Sequence, residues 1–130
     1  MGMYTKFDLN VRLRWDIPAD VLKAICGMVD MEPQTAWPAH PLFETERFQH
    51  MFHYWDDGDC SPPLFVPDGD TNTWLLSVSC RFKNYDQEIQ KFLDFIKPYI
   101  VNNHEFEPEG YIHYEEWDEP KKIKFTHESL

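Results

Sequence analysis

The stretch TKFDLNVRLRW at residues 5–15 decides the fold, because apolar and polar side chains alternate along its whole length. A period of two places every second side chain on the same face, so this stretch predicts a β-strand with one buried face. Residues 73–82, TWLLSVSCRF, show a similar alternation and predict a second strand of this kind. Trp15 and Trp74 belong to the apolar faces, which we expect to pack beneath helices.

Each of these strands leads into a predicted helix. The first helix begins at Asp16-Ile17-Pro18, since proline suits the first helical turn. The second follows Asn84 and Gln87, which have the spacing of a capping box, and Pro98 is expected to end or bend it. Apolar residues recur at helical spacing in both segments: Val21, Leu22, Ile25, Met28 and Val29, then Ile89, Phe92, Leu93, Ile96 and Ile100.

Shorter segments complete the predicted sheet. Residues 64–66 predict a strand that the DG turn at residues 68–69 joins to the next strand as a hairpin. Residues 110–117 and 122–126 predict two C-terminal strands, and residues 48–55 are a further candidate strand. The order is β-α-β-β-α-β with an extra C-terminal strand. It predicts an α+β fold, the ferredoxin-like split βαβ two-layer sandwich, with an antiparallel sheet and two helices on one face.

Charge is distributed unevenly along the 130 residues, which have the length of a single domain. The net charge is −11, and residues 30–72 contribute one arginine against nine acidic side chains. These residues also contain several prolines and predict a long acidic excursion from the domain. Residues 102–130 carry three basic and eight acidic side chains. Free nucleic acid and anionic membranes are bound through Lys and Arg, so the charge makes them poor partners, whereas a protein with a basic surface fits. The alternative is that the charge serves solubility alone.

The cysteines and the absence of long apolar segments indicate the cellular compartment in which we expect the protein. Cys26, Cys60 and Cys80 are odd in number and widely spaced, which predicts free thiols in a reducing compartment. The N-terminal residues lack the apolar run of a signal peptide, and no apolar run approaches the length of a membrane span. We therefore expect a cytoplasmic protein.

The segments NYDQEI at residues 84–89, IKPYI at residues 96–100 and GYIHYEE at residues 110–116 resemble a family of short uncharacterised bacterial and phage-borne proteins. The resemblance covers about the last 60 residues. It implies no activity, and it suggests a link to mobile genetic elements.

The polar sheet face is a candidate ligand site. A two-layer sandwich leaves this face without helices, and Arg12, Arg14 and Arg81 all belong to it. Guanidinium groups bind carboxylates and phosphates in a bidentate manner, so a basic patch there could hold a small anion. The alternative is that these arginines pair with neighbouring acidic side chains.

Two further segments contain possible metal ligands. His50, His53 and Cys60 offer the nitrogen and sulfur donors that zinc prefers, but the histidines share a face only if their segment is helical. The alternative is a surface histidine and a turn. The stretch DGDTN at residues 68–72 begins like a calcium loop, but Thr73 replaces the required glycine and Ser79 the bidentate glutamate, so a hairpin turn explains it better.

Catalytic motifs and cofactor motifs are missing from the sequence. It contains no Gly-x-Ser-x-Gly and no glycine-rich phosphate loop, so no catalytic residue and no cofactor is predicted. Glu115 and Glu116 would point to opposite faces of a strand and do not form an acid/base pair. Lys121, Lys122 and Lys124 lie close enough to offset the charge of this acidic cluster across the predicted hairpin, which favours a device that keeps an edge strand soluble. Cys80 alternates with core residues and is expected to be buried.

Three hypotheses of function remain. The leading one is a non-enzymatic acidic interaction module, and its most specific version is a phage-type inhibitor that mimics nucleic acid. The residues expected to contact the partner are Asp56, Asp57, Asp59, Asp68, Asp70, Glu115 and Glu116. The alternative is a small-molecule or anion-binding domain, or an enzyme, that uses a concave pocket on the open sheet face. The third is a homo-oligomer assembled through exposed aromatic residues: Phe48, Phe52, Tyr54, Trp55, Tyr111 and Trp117.

Overall fold

A computed structural model describes residues 4–32, 36–54, 60–84 and 86–125. The strands and α-helices in chain order are β1 (Thr5–Arg14), α1 (Ala19–Asp30), β2 (Ser61–Asp68), β3 (Thr73–Phe82), α2 (Glu88–Ile96), β4 (Glu109–Tyr114) and β5 (Lys121–Lys122). Three short 3₁₀ helices lie at Pro41–Glu44, Phe48–His53 and Lys97–Tyr99. In these described ranges, no helix combines the length and the apolar character needed to cross a membrane.

The strands form one antiparallel sheet in the order β2-β3-β1-β4-β5. The alternating residues of β1 place it between β3 and β4, with Phe7 opposite Cys80 and Leu9 opposite Gly110. Strand β2 contains three prolines, Pro62, Pro63 and Pro67, and lies at an edge of the sheet. Proline is tolerated in an edge strand because it has no N–H to donate to a neighbouring strand. The predicted α+β class, the antiparallel sheet and the β2–β3 hairpin are confirmed.

One hydrophobic core lies against a single face of the sheet. Strand β1 contributes Phe7, Leu9, Val11 and Leu13, all at most 3% exposed, while the polar residues between them lie on the other face. The same cluster contains buried residues of β3, of both α-helices and of the first two 3₁₀ helices. The helices therefore cover one face, and the opposite face, which we call the open face, carries the polar set.

The segment at residues 48–55 does not form the predicted strand. Its described part is the 3₁₀ helix Phe48–His53, in which Phe48, Met51 and Phe52 are buried in the core. Apolar residues separated by three and four positions share one side of a helix, whereas in a strand they would be divided between two faces. The spacing was therefore a helical signal.

Two further expectations about helix ends and packing need correction. Gln87 does not complete a capping box, because it has a left-handed backbone (φ 56°) and makes no side-chain capping bond; instead Asn84 Oδ1 accepts from Ile89 N at 3.0 Å. Trp15 is not packed beneath the helices, since 47% of it is exposed, while Trp74 is half-buried. The expected end of α2 is confirmed, with Pro98 in the 3₁₀ turn that follows Ile96.

Candidate functional site

Arg12 occupies the open face at the β2–β3 turn, where its Nη1 and the plane of its guanidinium have partners. Its Nη1 donates to Asp68 Oδ2 at 2.9 Å, Thr73 Oγ1 at 3.1 Å and Thr71 Oγ1 at 3.3 Å, and the guanidinium lies 4.6 Å from the centre of the Phe106 ring. The hydrogen bond from Arg12 is the main reason that the pKa of the Asp68 carboxyl falls below its ordinary value. Arg12 therefore fixes the turn and the Phe106 loop.

The other two candidate arginines do not converge with Arg12. Arg14 pairs with Asp16 through two bonds of 3.0 and 2.9 Å on the exposed end of β1. Arg81 lies opposite Lys6, six residues along β1 from Arg12, which corresponds to about 20 Å. The structure thus supports pairing with neighbouring acids for Arg12 and Arg14, and it does not form one patch from the three arginines.

A groove of 1130 Å³ is lined by the end of β1, α2 and residues 123–125 rather than by the centre of the open face. On the open face itself, Ser79 donates to Asp8 at 2.7 Å, and the side chains of Leu64 and Val66 are exposed. The groove is therefore not the pocket that the small-molecule hypothesis places on the open face.

The candidate metal ligands have other contacts. His53 Nε2 donates to the Met28 carbonyl at 3.0 Å and so links the 3₁₀ helix to α1, while His50 is exposed. Across the described ranges, no group of three or more His, Cys, Asp or Glu side chains could hold a metal ion. Three of the acidic candidates, Asp56, Asp57 and Asp59, lie outside the described residues.

The thiols differ in burial. Cys80 is fully buried in the core, as predicted, and burial raises the pKa of its thiol far above the ordinary value. Cys26 is half-buried, and its pKa is raised by burial and then by the charges of Asp30 and Glu32. Both shifts disfavour the thiolate, which is the nucleophilic form.

The loop before β4 is the first part of an ordered acidic surface. Asn103 Oδ1 accepts from Glu105 N at 2.9 Å and Phe106 N at 3.0 Å, and Asn103 N donates to the Phe106 carbonyl at 3.2 Å. Phe106 is half-buried against Arg12, whereas its neighbours Glu105 and Glu107 are exposed. Local bonds and one aromatic anchor therefore fix the backbone of the loop that carries these two glutamates.

The turn after β4 is the second part. Glu115 exchanges two bonds with Tyr4: its N donates to the Tyr4 carbonyl at 3.1 Å, and its Oε2 accepts from Tyr4 N at 3.0 Å. His113 Nε2 donates to the Trp117 carbonyl at 2.9 Å, and the Lys121 ammonium lies 4.2 Å from the Trp117 ring centre. This turn is also fixed by specific contacts.

Seven exposed carboxylates lie at the two ends of β4, and we call them the acidic strip: Glu105, Glu107, Glu109, Glu115, Glu116, Asp118 and Glu119. Within the described residues none of them forms an ion pair. By contrast, the candidate contact Asp68 is bound to Arg12, and Asp70 is exposed in the hairpin turn. The sequence had identified Glu115 and Glu116 but missed the carboxylates around Phe106.

The aromatic residues proposed for self-assembly divide into two groups. Phe48 and Phe52 are core residues, 7% and 1% exposed, so the expectation that they lie on the surface is wrong. Tyr54 and Tyr111 are 44% and 39% exposed, and Trp117 is half-buried. Trp55 lies outside the described residues.

No family model, curated protein or solved structure matches this chain. The relation to bacterial and phage-borne proteins therefore stays a prediction.

Proposed function

We propose that the protein is a non-enzymatic interaction module whose acidic strip binds a basic surface of another protein. The observation that carries the proposal is the strip itself, in which seven exposed carboxylates lie at the two ends of β4 and hydrogen bonds fix the backbone of the adjoining loops. A positioned set of like charges produces a strong local field, and such a field guides association with a surface of opposite charge.

The dimensions of the strip suit an extended basic surface. Glu109 and Glu115 lie at opposite ends of β4, six residues apart, which corresponds to about 20 Å. Nucleic acid presents a row of negative charges on a similar scale, so a protein surface that normally binds nucleic acid is the favoured class of partner. In that form the protein would act as an inhibitor that competes with the nucleic acid.

The proposal includes two finer statements about the protein. The order β2-β3-β1-β4 with antiparallel neighbours, and helices covering one face, supports a ferredoxin-like split βαβ arrangement to which β5 is added. The free thiols Cys26, Cys60 and Cys80 support a location in the cytoplasm.

The test uses an arginine-rich peptide as the basic probe and fluorescence anisotropy as the readout. The strip variant Glu105→Gln/Glu107→Gln/Glu109→Gln removes three charges from one end of the strip. An exposed ion pair contributes about 0.2–1 kcal/mol, so three of them predict a loss of affinity of roughly tenfold. Affinity should also fall steeply with salt, because the charges involved are exposed.

A charge-matched variant, Asp30→Asn/Glu32→Gln/Glu46→Gln, separates the strip from the overall charge. All three residues are exposed and lie outside the strip, so the net charge changes equally. We expect this control to keep nearly the wild-type affinity. Equal losses in both variants, or binding that does not respond to salt, would show that the strip is not the contact surface.

A further inference from the structure

A groove lies between α2, the end of β1 and the C-terminal segment at residues 123–125. Its volume is 1130 Å³, slightly above the 300–1,000 Å³ of typical small-molecule sites, so a whole organic molecule fits. Leu93 and Lys97 line it from the α2 side, Lys124 and Phe125 from the C-terminal segment. The exposed ring of Trp15 lines it at the end of β1.

The C-terminal wall of the groove is attached to the sheet. Ile123 N donates to the Gly110 carbonyl at 2.8 Å, and Ile123 packs directly over the Cα of this glycine. Ile123 and Phe125 are both partly buried against the hydrophobic core. The wall is therefore an integral part of the fold.

The charges that line the groove leave two ammonium groups available. Its two carboxylates already have partners, because Asp16 is bound to Arg14 and Asp94 lies 3.0 Å from His40 Nε2. Lys97 and Lys124 are exposed and form no ion pair with any residue that the structure describes. Three basic and two acidic side chains line the groove, so it carries a local positive charge in a chain with a net charge of −11.

Trp15 gives the groove a flat apolar surface. Its ring stacks on Trp74, with centres 5.5 Å apart, and Trp74 stacks on Phe65 at 5.1 Å. The stack holds the indole in a fixed orientation although 47% of Trp15 is exposed. A further planar ring could extend this stack, which is a favourable arrangement for aromatic groups.

We propose that the groove binds a planar aromatic carboxylate, with its ring against Trp15 and its carboxylate bound by Lys97 and Lys124. This site is separate from the acidic strip, and neither depends on the other.

The experiment titrates the full chain with 2-naphthoate, and with the neutral 2-naphthamide, while following the indole N–H signal of Trp15 by NMR. The signal is assigned by its loss in Trp15→Phe. We expect 2-naphthoate to shift it in a saturable manner. The neutral 2-naphthamide should bind roughly fivefold more weakly, because it cannot form the two exposed ion pairs with Lys97 and Lys124.

Two lysine variants test the anion contact. Lys97→Gln/Lys124→Gln should weaken 2-naphthoate binding roughly fivefold, because two exposed ion pairs are lost. The control Lys23→Gln/Lys122→Gln also removes two positive charges, but outside the groove. Lys23 is on α1, and Lys122 lies opposite Tyr111 of the open face in the β4–β5 register. It should bind like wild type. The proposal is overturned by a Trp15 signal that does not move at millimolar 2-naphthoate, by equal binding of the amide, or by equal losses in both lysine variants.

Discussion

Replacement of Gly110 by alanine should disturb the contact that attaches the C-terminal segment to the sheet. An ideal Cβ at this position would lie 2.7 Å from Ile123 Cδ1 and 3.2 Å from Leu9 Cδ1. Carbon atoms pack best at about 3.5–4.0 Å, so the first contact is a clear overlap. Leu9 is buried in the core, and the half-buried Ile123 is therefore the side chain that must move.

The expected cost follows from two opposing effects. Overpacking a well-filled site typically costs about 1–3 kcal/mol. Alanine recovers about 0.5–1 kcal/mol, because glycine loses more backbone freedom when it is ordered in a strand. We expect Gly110→Ala to lower the free energy of unfolding by about 0.5–2 kcal/mol.

A double-mutant cycle measured by urea denaturation tests this account. Ile123→Val deletes the overlapping Cδ1 and should cost about 0.5–1.5 kcal/mol alone. The double variant should lose less unfolding free energy than the sum of the losses of the two single variants. The difference should exceed about 0.3–0.5 kcal/mol, the deviation from additivity that independent sites show. Gly69→Ala is the control, since its Cβ would meet no atom within 4 Å. Additive effects, or a Gly110→Ala cost no larger than that of Gly69→Ala, would refute the proposed contact.

Two further predictions concern titration and reactivity. Arg12→Met removes the hydrogen bond that lowers the pKa of Asp68. The ionised Asp68 carboxylate stabilises the folded protein fully above 3.8, the ordinary pKa of its carboxyl, and this contribution is lost as the pH falls through the lower folded-state pKa. The difference in unfolding free energy between wild type and variant should therefore narrow in that pH range. A difference that does not change with pH would contradict this account. In maleimide labelling, Cys60 should react in the native protein, and Cys26 should react more slowly because burial and nearby acidic charges disfavour its thiolate. The buried Cys80 should react only after unfolding, and comparable rates for all three would contradict its burial.

The strands that carry the sheet were predictable from local pattern alone. The alternation at residues 5–15 predicted β1, which ends one residue earlier, at Arg14. The alternation at residues 73–82 predicted β3 with its observed bounds. A period of two is a strong signal because it appears only when one face is buried and the other is not. The strand predicted at residues 48–55 was wrong, because Phe48, Met51 and Phe52 are spaced to share one side of a helix, and Phe48–His53 is a 3₁₀ helix.

The sites were harder to predict because they depend on register and on distant segments. Alternation places Arg12 and Arg81 on the same face, but only the β1–β3 register shows that they lie at different ends of it. The groove joins Trp15, Leu93 and Lys124, which no local pattern connects. The loop before β4 depends on the packing of Phe106 against Arg12, which leaves Glu105 and Glu107 exposed. Residues this far apart in the sequence show no pattern that predicts the contact.

The most direct test of the acidic strip is an amide NMR titration of the full chain with the arginine-rich peptide. If the strip is the contact surface, the largest shifts will lie at residues 104–109 and 115–119, and they will disappear at high salt. Shifts that are largest at residues 30–46, or on the open face around Leu64 and Val66, would contradict the proposed function.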